Sequence, residues 1–257
     1  MGKNFDTFFE EVFNETLRFE GGIVNDKNDI GKLTYKGISK YFNPKWDGWE
    51  LIDPVLVGYD LENKDHRTLI NKKLSEDKNL EKRIMNFYYN SFWKGILDKI
   101  KYANLSSNLF DFSVNSGIGR STRFLQEILG VKVDGDLGPA TRAAVDAYVL
   151  KNSEMDLLIR LNLERCKFYL SRVELKPKQA AFLYGWLLRT INLHKKFYNL
   201  DLMDKEYVEI FSAANSIEIT KSLKKLIEIN GVLEECKLNF NNKATLNTAI
   251  SNIIYER

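Results

Sequence analysis

Apolar residues recur along most of the chain at spacings of three and four, the period of an amphipathic helix. The first such run is Phe5, Phe9, Val12/Phe13 and Thr16/Leu17. Thr7 and Glu10 are spaced as a capping box at its start, and Gly21-Gly22 ends it. Residues 23–39 change character: Ile23-Val24, then NDKNDIG, then LTYKGIS, a pattern that predicts a short β-hairpin with Asn, Asp and Gly in its turns. Residues 41–65 hold Pro44, Pro54, Trp46 and Trp49 and predict irregular structure. Residues 66–102 return to helix, and the charged run NKKLSEDKNLEKR is a solvated helix face. A helical region over 105–129 is broken at Gly117 and Gly119. VDGDLGP forms a tight turn that places Pro139 at the first position of a helix. Helices over 140–172 and 177–198 follow. Beyond Asp201 helical spacing reappears at Ile219, Leu223 and Leu226/Ile227 and again from Leu246 to Ile253. One small β element inside a helical chain predicts a mainly α (α+β) fold.

Composition removes several function classes. The 257 residues carry 38 Lys+Arg against 35 Asp+Glu, a net charge of +3, with 44% apolar residues. That is enough apolar surface for a core, and it leaves no electrostatic footprint for nucleic acid. The histidines are His66 and His194 and the cysteines Cys166 and Cys236, without C-x-x-C spacing. Neither a zinc site nor a disulfide framework is supported, and the two thiols read as buried apolar groups. NDKNDIG fails as a calcium loop, because Ile30 and Gly37 fall where oxygen ligands are required. With no metal or organic cofactor expected, catalysis falls to carboxylates, hydroxyls, amides or lysines. The first residues, MGKNFDTFFEEVF, place acids where a signal peptide needs an apolar stretch. The apolar run Ala180 to Leu188 is too short to span a bilayer. Synthesis in the cytoplasm is expected, with carriage or release needed for any work outside.

Glu20 carries the most chemistry. It lies four positions after Thr16 and three after Leu17, so it continues the apolar face of the first helix. A carboxyl group on that face, at the negative end of the helix dipole, is disfavoured as an anion by desolvation and by the dipole alike. A carboxylic acid kept protonated suits a general acid. The competing reading is a last-turn Glu that turns to water or bonds a nearby amide. Asp29 and Thr34 follow across the Gly-rich turn region, which lets the chain double back. Glycoside hydrolysis with inversion needs one group to protonate the leaving oxygen and another to prepare a water, with carboxyl groups roughly 6.5–9.5 Å apart.

EGGIVNDKNDIGKLTYKGIS, residues 20–39, resembles the signature of glycoside hydrolase family 108, the phage-type N-acetylmuramidases. The resemblance implies Glu20 as catalytic acid and Asp29 and Thr34 as the groups that handle the water. Lys32 stands where the family pattern has the second glycine of a pair. FDFSVNSGIGRSTRFLQEILGVKVDGDLGPATRAAV, residues 110–145, resembles the second half of the same family, a predicted peptidoglycan-binding region. Its hallmarks fall on Asp111, Asn115, Gly117, Leu125-Gln126, Asp134-Gly135, Gly138-Pro139 and Thr141. Asn115 and Gly117 are expected at the substrate; the structural alternative is an Asn that caps a broken helix. DGDLGPAT reads as a fold-defining turn. GWLLRT resembles the family's closing segment, with Trp186 and Arg189 expected to flank a glycan; the alternative is a core Trp beside a surface Arg.

The resemblance covers residues 5–198. It implies a lysozyme-like, two-lobed fold with the hairpin next to the catalytic helix: a catalytic lobe over 1–104, a helical lobe over 105–200 and an unassigned helical extension over 201–257. It implies a muramidase that cuts the β-1,4 bond between N-acetylmuramic acid and N-acetylglucosamine, with inversion. Peptidoglycan glycan strands are the expected partner of a monomer without a membrane span, acting in the periplasm or wall after release or non-classical export. The extension is either a helical module for docking to a partner, the wall or a second copy, or packing that covers the catalytic lobe. The alternative function is a non-catalytic peptidoglycan-binding, envelope-assembly or secretion protein on the same scaffold.

Overall fold

The computed structural model describes residues 7–17, 21–25, 33–198, 217–238 and 243–255. Contacts divide the chain into two compact units, residues 1–99 with 113–115 and residues 100–112 with 116–257. Among the described residues no helix is long and apolar enough to cross a membrane.

In the first unit, helix α1 (Thr7–Leu17) buries Phe9, Val12, Phe13, Thr16 and Leu17, the stripe set by the sequence period. Its rings pack on aromatics further along the chain. Phe9 lies 5.0 Å from Tyr89 and 5.4 Å from Trp93, and Phe13 lies 5.8 Å from Tyr88, between ring centres. Strands β1 (Ile23–Asn25), β2 (Leu33–Tyr35) and β3 (Ile38–Ser39) form an antiparallel sheet in chain order. The β2–β3 turn has positive φ at both central residues, Lys36 (48°) and Gly37 (78°). That conformation matches the right-handed strand twist, and a lysine adopts it at a cost glycine does not incur.

Two expectations for this unit change. Residues 41–65 contain a helix, α2 (Trp49–Leu56), despite Pro54 within it. Trp49 and Ile52 anchor its buried side, and Trp49 Nε1 donates to the Asn43 carbonyl at 2.8 Å. In so short a helix the loss of one backbone bond at proline is outweighed by burial of these side chains. The span 66–102 is not one helix but α3 (Lys64–Ser75) and α4 (Lys78–Tyr88), followed by a π-helical turn over Tyr89–Trp93. Asp77 divides α3 from α4 by accepting from the Asn79 and Leu80 amides, as an N-cap does.

In the second unit, α5 (Ala103–Ser116) and α6 (Ile118–Leu129) are separated by Gly117, and α7 (Pro139–Lys151) begins with proline after Gly138. Ser153 accepts from the Asp156 amide and starts α8 (Glu154–Leu175), which divides the expected 140–172 helix. Then come α9 (Ala180–Tyr198), α10 (Ile217–Leu238) and α11 (Lys243–Tyr255). The last two are not a detached extension. Leu226, Ile229 and Leu233 of α10 and Leu246, Ile250 and Ile254 of α11 share one core with Leu170 of α8 and Leu187 of α9. Each such side chain contributes roughly 1.5–3 kcal/mol when fully buried. The two helices complete the core of the second unit rather than covering the catalytic lobe.

Ending the chain after Tyr198 should therefore lower the thermal midpoint and expose apolar surface to a hydrophobic dye, and Leu226→Ala alone should cost about 2–5 kcal/mol in urea denaturation. An unchanged midpoint in the shortened chain would show α10 and α11 to be an independent module.

Candidate active site

Glu20, Asp29 and Lys32 lie outside the described residues. The described framework around them is specific. Ile23 pairs with Tyr35, Val24 with Thr34 and Asn25 with Leu33, so the chain leaving α1 runs antiparallel to the strand that carries Thr34. Successive strand residues face opposite sides. Ile23, Tyr35 and Ile38 are buried on one side. Val24, 46% exposed, and half-buried Thr34 occupy the other. Thr34 is thus turned away from the unit's core.

Two residues that sequence reasoning missed hold the sheet in place. The Ile23 amide donates to Asn71 Oδ1 of α3 at 2.7 Å, and the Tyr88 hydroxyl of α4 donates to the Lys36 carbonyl at 2.6 Å. Gly22 is required by the first contact, because a Cβ there would stand 2.3 Å from the Asn71 side chain. The second glycine after Glu20 therefore has a local steric cause, whereas a Cβ at Gly21 would meet open space. Nothing in the helical period singles out Asn71, since an exposed-face amide looks like ordinary helix surface.

Behind the sheet lies a cavity of about 320 Å³ whose lining includes Phe13, Leu17, Tyr35, Leu74, Glu81 and Ile84. Burial, and secondarily Asp77, push the Tyr35 phenol up to about 12.

The second half of the signature proves largely structural. Asp111 is fully buried and accepts from Arg165 Nη2 at 2.5 Å and from Arg189 Nε at 2.6 Å. Arg189 is 4% exposed, so the expectation that it flanks a glycan is corrected: its guanidinium is committed to Asp111 in the interior. Trp186 is half-buried, and its ring stacks on Tyr169 at 5.2 Å and on Phe182 at 5.9 Å. It is a core-edge residue whose outermost neighbour is exposed Phe182. The Gln126 amide stitches the VDGDLGP turn. Its Nε2 lies 2.8 Å from Asp134 Oδ1 and 3.0 Å from Thr141 Oγ1, and its Oε1 accepts from the Gly135 amide at 2.8 Å. The Asp136 amide, followed by the Gln126 amide, lowers the Asp134 pKa.

Asn115 sits half-buried in the last turn of α5, one turn after Asp111, and Gly117 breaks the helix with φ 88° and ψ 142°. A side chain is strained in that region, so glycine lets the chain leave α5 and restart as α6. Thr34 and Asn115 fall in the first unit; Gly117, Trp186 and Arg189 fall in the second. His66 accepts from the Asp60 amide through Nδ1 at 3.0 Å, a structural role.

A small antiparallel sheet entered from one helix, with a helical unit after it, defines a mainly α, lysozyme-like fold. The solved structure of Brucella abortus SagA shares it, with a TM-score of 0.50 and 20% identity over 78% of this chain and 98% of that one. Residues 13–117 match the family described as glycosyl hydrolase 108, and residues 120–191 match the family described as a predicted peptidoglycan domain. The chain therefore carries a glycosyl hydrolase 108 domain followed by a predicted peptidoglycan domain, the architecture of a glycoside hydrolase acting on peptidoglycan. Among curated proteins, none matches the sequence significantly.

Asp111→Asn leaves two buried guanidinium groups without a counter-charge and should destabilise the protein by about 3–5 kcal/mol, read by urea denaturation. For Tyr35, the folded pKa lies above the ordinary value near 10, so its contribution is whole below about pH 10 and is lost as pH rises towards about 12. Melting temperatures between pH 9 and 12 should fall less steeply in Tyr35→Phe than in the parent.

Proposed function

We propose that the protein is an N-acetylmuramidase that hydrolyses the β-1,4 bond between N-acetylmuramic acid and N-acetylglucosamine with inversion. The observation that carries this reading is the placement of Thr34 on the outward side of a sheet entered directly from α1, inside the region that matches glycosyl hydrolase 108. Glu20 follows the last described turn of α1 in sequence and protonates the glycosidic oxygen. Asp29 and Thr34 orient a water and take its proton as it attacks the anomeric carbon from the opposite face. A threonine hydroxyl can donate and accept at once, which suits it to holding a water rather than forming a covalent sugar adduct. Asn115 offers an amide donor and acceptor to an N-acetyl group. The site of action is the periplasm or wall, reached after release or by non-classical export.

Purified protein should clear a peptidoglycan suspension, and Glu20→Gln should lower the rate by about a hundredfold or more with its melting temperature kept. Mass spectrometry should find reducing muramic acid ends, and the fresh products should carry the α anomer. Released stem peptides in place of reducing sugars would refute the bond assignment. Sacculi that bind the protein without being solubilised would favour the non-catalytic alternative.

A further inference from the structure

The second unit carries a surface strip that the fold does not use. Phe168 of α8 is half-buried at the edge of the core, and two guanidinium groups flank its ring. Arg120 of α6 lies 5.1 Å from the ring centre and Arg172 of α8 lies 5.7 Å from it. Arg172 also lies 5.7 Å from the centre of the Trp186 ring, and Trp186 stacks on Phe182, which is 59% exposed. The strip Arg120–Phe168–Arg172–Trp186–Phe182 thus crosses α6, α8 and α9.

The two cations have neutral partners only. Arg120 Nη1 donates to the Ser116 carbonyl at 3.1 Å and Arg172 Nε to Gln179 Oε1 at 3.0 Å. Neither forms an ion pair among the described residues. The nearby carboxylate Glu164 is held by Lys167 at 2.6 Å. The contrast with Arg165 and Arg189 is chemical: those guanidiniums meet Asp111 inside, whereas these two are set against aromatic faces with donors left over. Aromatic faces fix the guanidinium planes and leave their edges open to a planar, bidentate carboxylate.

We propose that this strip binds the acidic stem peptides of peptidoglycan, with Arg120 and Arg172 pairing to peptide carboxylates and Phe182 stacking on an adjoining sugar ring. The inference rests on the peptidoglycan reading above and deepens it, because it names the part of the polymer that the second unit recognises. A neutral glycan gives two unpaired guanidiniums nothing to bind, whereas a glycan strand bearing carboxylates complements them in charge.

Sedimentation with purified sacculi at 4 °C tests it, comparing intact sacculi with sacculi whose carboxylates have been converted to neutral amides by a carbodiimide and ammonia. The paired variant Arg120→Gln/Arg172→Gln should bind intact sacculi about five- to tenfold more weakly than the parent, the size expected for two partly exposed ion pairs. Amidation should weaken the parent by a similar factor and leave parent and variant alike. Arg120→Lys/Arg172→Lys should recover part of the affinity, and added salt should weaken the parent more than the Gln pair. Phe182→Ala should weaken binding to both kinds of sacculi. Equal binding of parent and Gln pair to intact sacculi, in a protein that solubilises them, overturns this inference alone. So does undiminished binding of the parent to amidated sacculi. A parent that neither binds nor solubilises sacculi overturns the function reading and this inference together.

Discussion

One buried carboxylate ties three helices of the second unit together. Asp111 on α5 accepts from Arg165 on α8 and Arg189 on α9, and its side chain has no exposure. Burying a charge is costly unless it is paired and hydrogen-bonded, so the folded arrangement requires all three side chains at once. Arg165 receives further support: its Nε donates to the Tyr169 hydroxyl at 2.8 Å, and its guanidinium lies 4.9 Å from the centre of the Phe112 ring. One turn earlier, Asn108 Nδ2 donates to Asn162 Oδ1 at 2.7 Å. These polar contacts make a seam between α5 and α8 that admits a single register. An apolar seam would tolerate sliding, whereas here a slip of one residue leaves charges unpaired.

A similar economy of contacts positions Thr34. The sheet has strands of three, three and two residues, too small to be stable alone. It is held from two helices, by Asn71 at its entry and by Tyr88 at its β2–β3 turn, while Ile23, Tyr35 and Ile38 bury its inner side. Alternation along β2 then leaves Thr34 only one direction to face. A hydroxyl placed by strand alternation needs no contact of its own to be oriented; the burial of its neighbours does it.

What could be read from the sequence follows the same division. The apolar period located α1, and glycine and proline located the α5–α6 break and the start of α7, because those signals act within a few residues. α2 was hidden because its short span contains a proline and its stability comes from Trp49 and Ile52 meeting the rest of the unit. The breaks at Asp77 and Ser153 were hidden inside runs whose apolar period continues across them; only the side-chain caps reveal them. Arg189 was misread for a longer-range reason. An arginine after GWLL looks like a surface cation, and its partner lies 78 positions earlier in the chain. The residues expected to do the chemistry, Glu20 and Asp29, were legible from spacing and resemblance and lie outside the described residues.

Polar residues of a motif therefore separate into two kinds. Asp111, Gln126 and Arg189 belong to segments that resemble a hydrolase family, yet each is hydrogen-bonded inside the fold, so each is explained by stability. Thr34 belongs to a motif and faces outward, so stability does not account for it. Arg120 and Arg172 are not among the hallmark positions of those segments and still retain unused donors beside exposed aromatic surface. What marks a residue for function is chemistry that the fold leaves unspent, and membership of a recognisable pattern is neither necessary nor sufficient for that.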